Sequence, residues 1–151
     1  MRIAWDLEVA QDHTYTVGAG QWVVHNCTPG QLGSYGDLVK AARGTGLQAH
    51  HIFQDAMMRI LPGYVTKDAP AILLDQADHS AATAVQRAAA TNFRRLGLNS
   101  LTFSQARSVA EDALRAAGYS DADINRIVGG AANYFQQWGP AALNNLHVPL
   151  H

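Results

Sequence analysis

The hydrophobic positions follow two different periods along the chain. Up to residue 24, apolar and β-branched residues recur at every second position, which is the period of a β-strand. Trp5, Leu7 and Val9 show this alternation, and the residues at 14–17 and 22–24, on either side of a Gly-Ala-Gly sequence at 18–20, are β-branched or aromatic. Because glycine favours tight turns, this first part of the chain predicts a β-hairpin.

Beyond residue 34 the pattern becomes helical. A Gly/Ser-rich passage at 28–34 reads as a linker between the two parts. Asp75 or Asp78, the pair Thr102 and Gln105, and Ser120 are the residue types that cap helix N-termini. The predicted elements are short helices at 37–43 and 55–61 and extended segments at 47–53 and 69–74. Three long helices follow, the first from Asp75 or Asp78 to about 96 and the others at 103–117 and 121–138, and then a tail at 139–151 whose last eleven residues are exposed.

Together these elements predict a mainly helical α+β fold that holds a small two-stranded element. Of the 151 residues, 48% are hydrophobic and 15% are charged, which excludes a disordered or fibrous chain. No apolar run approaches the roughly 18 residues of a membrane span, and the N-terminus lacks the pattern of a cleavable secretion signal. Cys27 is the single cysteine, which excludes an internal disulfide and a four-thiolate zinc site.

The net charge of −1 also restricts how the chain can contact nucleic acid. A strongly basic protein attracts the phosphate backbone through its overall field, and this chain has no such field. Contact with nucleic acid would therefore depend on a local patch and a metal ion.

Three of the seven histidines form the candidate chemical group: the adjacent His50 and His51, and the later His79. Adjacent residues of a strand point to opposite faces, so these two side chains cannot easily bind one ion together. One of them can bind a metal ion while the other transfers a proton. His50 then binds a metal together with His79, and His51 serves as general base, a role that suits imidazole near neutral pH. On the spacing alone, a purely structural histidine pair stays open as an alternative.

Two elements near the start of the chain stand at a characteristic separation: Asp-His-Thr-Tyr at 12–15 and Val-Val-His-Asn-Cys at 23–27. Together they resemble the C-terminal end of an intein-like (HINT) self-cleaving domain. The resemblance implies that Asn26 cyclises and breaks its bond to Cys27, with His13 and His25 assisting by proton transfer. We expect residues 1–26 to be a remnant that marks a cleavage boundary rather than a working autoprotease.

Several separated blocks of the second part share another resemblance: Gly-Leu-Gln-Ala-His-His-Ile at 46–52, Pro-Gly-Tyr at 62–64, Ala-Pro-Ala-Ile-Leu-Leu at 69–74 and Asp-His at 78–79. They are similar to AHH-type toxin nucleases of the HNH/endonuclease VII (ββα-metal) superfamily, which occupy the C-termini of Rhs and other polymorphic toxins. The resemblance covers roughly 44–138 and implies a ββα-metal element packed with several helices. By position it implies His50 and His79 as metal ligands and His51 as general base.

The chain departs from the superfamily pattern at two places. Many members carry an Asn before the last histidine and a His or Asn one helical turn beyond it, whereas this chain has Ala-Pro-Ala at 69–71 and Thr83. We therefore expect one divalent ion with two protein ligands and water, as Mg²⁺ allows, with Zn²⁺, Mn²⁺ or Ni²⁺ as alternatives. Arg87, Arg94 and Arg95 lie roughly on one side of the predicted helix and are candidates for contact with DNA phosphates.

These features predict a metal-dependent endonuclease toxin that hydrolyses DNA in a competitor cell. We expect a secreted or delivered effector that acts in the target-cell cytoplasm, released by cleavage between Asn26 and Cys27 and neutralised in the producing cell by a cognate immunity protein. The expected parts are a HINT remnant at 1–26, a linker and short helix at 27–46, the nuclease domain at 47–138 and the tail. Two rivals are an RNase that uses the histidine pair for metal-free acid–base catalysis, and a non-enzymatic helical interaction domain.

Overall fold

The N-terminal hairpin consists of strands β1 (Thr14–Val17) and β2 (Trp22–His25), which pair antiparallel with Thr14 opposite His25. The structure is a computed structural model that describes residues 14–17, 22–25 and 27–150, the first two ranges as backbone only. The hairpin predicted from the alternating pattern is confirmed.

The remaining elements alternate between short strands and helices before three long helices complete the fold. In chain order they are β3 (Leu32–Ser34), α1 (Tyr35–Ala41), β4 (Gln48–His51), α2 (Asp55–Met58), a 3₁₀ turn (Thr66–Asp68), β5 (Pro70–Leu74), α3 (Gln76–Arg95), α4 (Phe103–Ala116), α5 (Asp121–Phe135), a second 3₁₀ turn (Gln136–Trp138) and α6 (Gly139–Leu143). The predicted fold class, α+β and mainly helical, is confirmed.

A three-stranded antiparallel sheet lies under the helices, in the order β3-β5-β4. β5 is its central strand, and residues 71–74 of that strand are fully buried. Ala71 and Leu73 pack with Leu38 of α1, whereas Ile72 and Leu74 belong to the larger core formed with α4 and α5. Since side chains alternate along a strand, the two faces of the sheet support two separate cores.

The register of β4 against β5 determines where the tandem histidines point. His50 lies opposite Ile72, and His51 lies opposite Ala71. His50 therefore faces the larger core and α3, while His51 faces α1. The opposite-face placement expected of neighbouring strand residues follows directly from this register.

The expectation of a linker at 28–34 is wrong, because Leu32–Ser34 forms the edge strand β3. The amide of Gly30 donates to the carbonyl of Leu73 at 2.7 Å, and the amide of Leu73 donates to the carbonyl of Gln31 at 2.9 Å. An edge strand held by backbone hydrogen bonds needs no alternating apolar side chains, so the hydrophobic pattern carried no sign of it. The small sheet thus has three strands rather than two.

The long helices begin where the capping residues predict. Asp75 caps α3 by accepting a hydrogen bond from the amide of Asp78 at 2.8 Å. Thr102 and Gln105 form a capping box at the start of α4, and Ser120 caps α5. None of the helices in the described part of the chain is both long and apolar enough to cross a membrane.

The prediction that the last eleven residues form an exposed tail is also wrong. Leu143, Leu146 and Val148 are only 3%, 1% and 8% exposed. Leu146 exchanges both backbone hydrogen bonds with Leu101, at 2.9 Å each. These apolar residues follow neither a helical nor a strand period, so the sequence pattern did not reveal that the segment packs onto the core.

We predict that Leu146→Ala destabilises the protein by about 2–5 kcal/mol, because it leaves a cavity in the core. Leu150 is 68% exposed and four residues away, so Leu150→Ala serves as the control and should cost less than about 0.5 kcal/mol. Urea unfolding of both variants measures the difference. Equal small effects would show that the C-terminal segment is not part of the core.

Candidate active site

His50 forms the buried centre of the candidate site. It is 5% exposed and lies on β4 against α3. His79, in the first turn of α3, presents its ring edge-on to the His50 ring, with 5.3 Å between the ring centres and 88° between the ring planes. The fold thus brings the rings of His50 and His79 together, as the sequence analysis predicted.

Gln86 is a third member of this group that the sequence analysis missed. Its side chain is nearly buried, and its amide nitrogen lies 3.2 Å from Nε2 of His50. His79, Thr83 and Gln86 are spaced i, i+4 and i+7 along α3, so they share one helix face. The spacing from His79 to Gln86 could have shown that they share a helix face. It does not single out Gln86, however, because a lone glutamine at that distance belongs to no known motif.

Burial controls the protonation of both rings. Burial, followed by the neighbouring His79 and His51, lowers the pKa of His50 to about 4. Burial also lowers the pKa of His79. Both rings are therefore neutral near pH 7, and neutral imidazole is the form that binds metal ions.

His51 lies on the other face of β4 in a different environment. Its ring stacks on Tyr35 of α1, with centres 3.9 Å apart and 15° between the planes. Its Nε2 lies 3.0 Å from the backbone carbonyl of Thr66. A carbonyl only accepts hydrogen bonds, so Nε2 carries the proton and Nδ1 of the neutral ring is left as the basic nitrogen.

The pKa of His51 reflects opposing influences. Burial lowers it and outweighs the Thr66 carbonyl and the Asp55 carboxylate, both of which raise it, while Arg59 lowers it further. A lowered pKa keeps the ring neutral near pH 7 and therefore able to accept a proton.

Asp55 anchors the polar groups around His51. Its carboxylate accepts hydrogen bonds from the Tyr64 hydroxyl at 2.8 Å and from Nε of Arg59, and one oxygen lies 3.8 Å from Nε2 of His51. Burial raises the pKa of this carboxyl, but hydrogen bonds from Tyr64 and Thr66 and the nearby cationic groups bring it below its ordinary value. Asp55 is therefore a fixed negative charge beside the imidazole.

A cleft of about 280 Å³, here called the first cleft, opens beside β4. Side chains from both faces of the strand reach it, together with residues of α2 and α3. Its walls are formed by Tyr35, Ala49, His50, His51, Gln54, Asp55, Ala56, Arg59, His79, Thr83 and Gln86. All three histidines singled out in the sequence thus line one cleft.

The arginines predicted to contact DNA do not line this cleft. Arg94 donates to the backbone carbonyl of Pro149, and Arg95 donates to the side chain of Asn92 at 3.0 Å. Both lie at the end of α3 opposite to His79. Arg87 is exposed and is not among the wall residues. Arg94 thus contacts the C-terminal segment, and Arg95 contacts the last turn of its own helix.

The residues assigned to self-cleavage fall at the edge of what the structure describes. His13 and Asn26 lie outside the described residues, and His25 belongs to β2, where only the backbone is described. Cys27 is partly buried, and its thiol donates to the carbonyl of Ala41 at 3.2 Å. Their predicted roles stay predictions.

The donor atoms around His50 suit a metal ion in part. Two imidazoles bound to one ion through nitrogens at about 2.1 Å, at a roughly tetrahedral angle, have ring centres about 5 Å apart. The 5.3 Å between His50 and His79 agrees with that separation. Within residues 27–150, however, no cluster of three or more His, Cys, Asp or Glu side chains is arranged to hold an ion. Any ion here would have to complete its shell with water or substrate oxygens, as Mg²⁺ does.

A family model described as Tox-SHH, an HNH/Endo VII superfamily toxin with a SHH signature, matches residues 44–136. The chain belongs to this family. Membership identifies it as a toxin domain of the HNH/Endo VII superfamily and points to a nuclease. The signature names Ser-His-His, whereas Ala49 precedes the tandem histidines here, which is why the sequence resembled the AHH type. No curated protein and no solved structure matches the chain.

We predict that the metal-free protein loses stability as the pH falls from 7 to 5. His50 titrates near 6.5 when unfolded and near 4 when folded, so the unfolded chain binds more protons in this range. The free energy of unfolding should therefore fall by roughly 2 kcal/mol from this residue alone. Urea unfolding in EDTA at both pH values measures it.

The control for this prediction is His50→Asn, which keeps a polar side chain that does not titrate. The fall in stability between pH 7 and pH 5 should be smaller in this variant by about the same amount. Parallel stability curves for the two proteins would contradict the proposed burial of a neutral His50.

Proposed function

We propose that the domain is a metal-dependent endonuclease that hydrolyses DNA phosphodiester bonds. The observation that carries this proposal is the first cleft, where the neutral His50–His79 pair and a His51 with a free Nδ1 line the same walls. Membership in an HNH/Endo VII toxin family supports a nuclease, and DNA as the substrate is our own assignment.

His51 acts as the general base in this proposal. Its Nδ1 accepts a proton from a water molecule that attacks the phosphorus of a phosphodiester. The P–O bond to the leaving sugar oxygen breaks, and this oxygen takes a proton from solvent water. The Thr66 carbonyl holds the proton on Nε2, and the Tyr35 ring restricts the tilt of the imidazole. Asp55 favours the imidazolium that forms, because its carboxylate lies 3.8 Å from Nε2.

His50 and His79 hold the divalent ion in this proposal. Such an ion, when bound, stabilises negative charge on the phosphate oxygens as a Lewis acid. When the Gln86 amide is turned so that its oxygen faces Nε2 of His50, that oxygen accepts the Nε2 proton and Nδ1 of His50 is left for the ion. Mg²⁺ is our first candidate because it keeps several waters and so needs few protein ligands. Zn²⁺ and Ni²⁺ are alternatives that imidazole ligands suit better, and Mn²⁺ is a third.

The biological setting that we propose is interbacterial competition. The domain would be the payload of an Rhs-type or other polymorphic toxin, delivered into the cytoplasm of a target cell. The producing cell would be protected by a cognate immunity protein that covers the first cleft. Toxin family membership supports this setting.

We predict that His51→Ala reduces cleavage of plasmid DNA by at least about 10²-fold, the usual scale for loss of a general base. EDTA should abolish cleavage by the parent protein, and Mg²⁺ should restore it. His147→Ala is the matched control, because His147 is exposed and absent from the walls of the first cleft. Circular dichroism checks that each variant is folded.

Two outcomes would favour the rivals to a DNase. Loss of total RNA in EDTA with intact plasmid would favour a metal-free RNase. Unchanged cleavage by His51→Ala would remove this residue from the chemistry, and absence of any cleavage or toxicity in the parent protein would favour an interaction domain.

We also propose that the toxin is released between Asn26 and Cys27. The residues just after this bond belong to the fold: Cys27 contacts Ala41, and Gly30 pairs with Leu73. Mass spectrometry of toxin recovered from producing cells should find Cys27 at the N-terminus. In the larger precursor that the HINT resemblance implies, Asn26→Ala should leave the bond uncut, because alanine cannot cyclise. Cleavage of that variant at the same bond would contradict this route.

A further inference from the structure

A second cleft, of about 440 Å³, adjoins the first. The two clefts share Tyr35, Ala49 and His79 as wall residues. The other walls of the second cleft come from α1 and from the loop and strand that follow it, namely Val39, Ala42, Arg43, Leu47 and Gln48. Its size lies in the range of roughly 300–1,000 Å³ that is usual for ligand sites.

The second cleft combines a cation with apolar walls. Arg43 is exposed, and no ion pair to it is found among residues 27–150. Arg59 and Arg115, in contrast, are both paired with aspartates. Val39 is 39% exposed although apolar, and it lies on the same wall. Within residues 27–150 the charge of Arg43 thus has no ion-pair partner, and it lies beside an apolar side chain where it can attract an anion.

This combination matches the chemistry of a nucleotide. A guanidinium recognises phosphate through paired N–H donors, and the faces of a base or sugar pack on apolar and aromatic side chains. A strand of nucleic acid whose scissile phosphate lies in the first cleft extends beyond that cleft, and one exit leads over His79. The second cleft is the adjacent concave surface on that side, because His79 belongs to the walls of both.

We propose that the second cleft binds the nucleotide next to the scissile phosphate, with Arg43 contacting the phosphate of that nucleotide. This inference rests on the proposed nuclease function. It assigns contact with the substrate phosphate to the loop after α1. Arg43 lies in this loop, just before the span 44–136 matched by the family model. In this proposal Arg43 takes the phosphate-contacting role that the sequence analysis gave to Arg94 and Arg95. Those two side chains bond to the C-terminal segment and to Asn92, respectively.

The test measures binding separately from cleavage. A fluorescently labelled DNA oligonucleotide is titrated into the His51→Ala variant in EDTA, and the Kd is determined by anisotropy at several salt concentrations. Adding Arg43→Ala should raise the Kd about five- to tenfold. The slope of the log association constant against log salt concentration should become less negative by about one. Arg43→Lys should retain part of the affinity, because it keeps the charge but loses the paired donors.

The matched control is Arg115→Ala, which removes the same charge from α4, outside both clefts. It should change the Kd by less than about twofold, as expected for an ion-paired surface residue. Unchanged binding by Arg43→Ala, or equal weakening by Arg115→Ala, would overturn the second-cleft proposal. Neither result affects the role of His51, which fails only if His51→Ala still cleaves DNA.

Discussion

The pairing of β4 with the buried strand β5 is the constraint on which the candidate site depends. β5 is covered on both faces, and its residues 71–74 are fully buried. A one-residue slip of β4 against it would turn His50 toward α1 and His51 toward α3, so the register sets the environment of each ring. This register places His50 toward α3 and His51 toward α1. Two residues that are neighbours in sequence thus occupy two environments, and that separation permits them to perform different chemical tasks.

Each environment then determines the state of its imidazole. On the α3 side, burial keeps His50 neutral and leaves its ring edge-on to His79. On the α1 side, the Thr66 carbonyl holds the proton of His51 on Nε2, and Tyr35 covers one face of the ring. A metal ligand must be neutral, and a general base must present an unprotonated nitrogen. The two faces of one short strand meet both requirements.

The sequence predicted the features that local rules control. Asp75, Thr102 and Ser120 cap the three long helices as their side-chain chemistry requires, and the apolar run before Asp75 forms the buried strand. The approach of His79 to His50 followed from one strand and one helix N-terminus. These predictions succeeded because caps and periods act over a few residues.

The remaining features depend on contacts between distant segments, which a single sequence does not display. β3 is held by backbone hydrogen bonds, so its Leu-Gly-Ser sequence carries no strand pattern. Tyr35 reaches His51 only because α1 follows this unpredicted strand. Arg94 of α3 contacts the carbonyl of Pro149 in the C-terminal segment, and the sequence pattern did not show that Pro149 is buried.

The central claim is that one divalent ion binds between His50 and His79 while His51 stays off the ion. Adding a small amount of Mn²⁺ to the protein and recording the histidine ring-proton NMR signals tests it most directly. The account predicts that the signals of His50 and His79 broaden most, that of His51 less, and that of the exposed His147 least. Broadening of His147 first, or equal broadening of all four rings, would contradict the account.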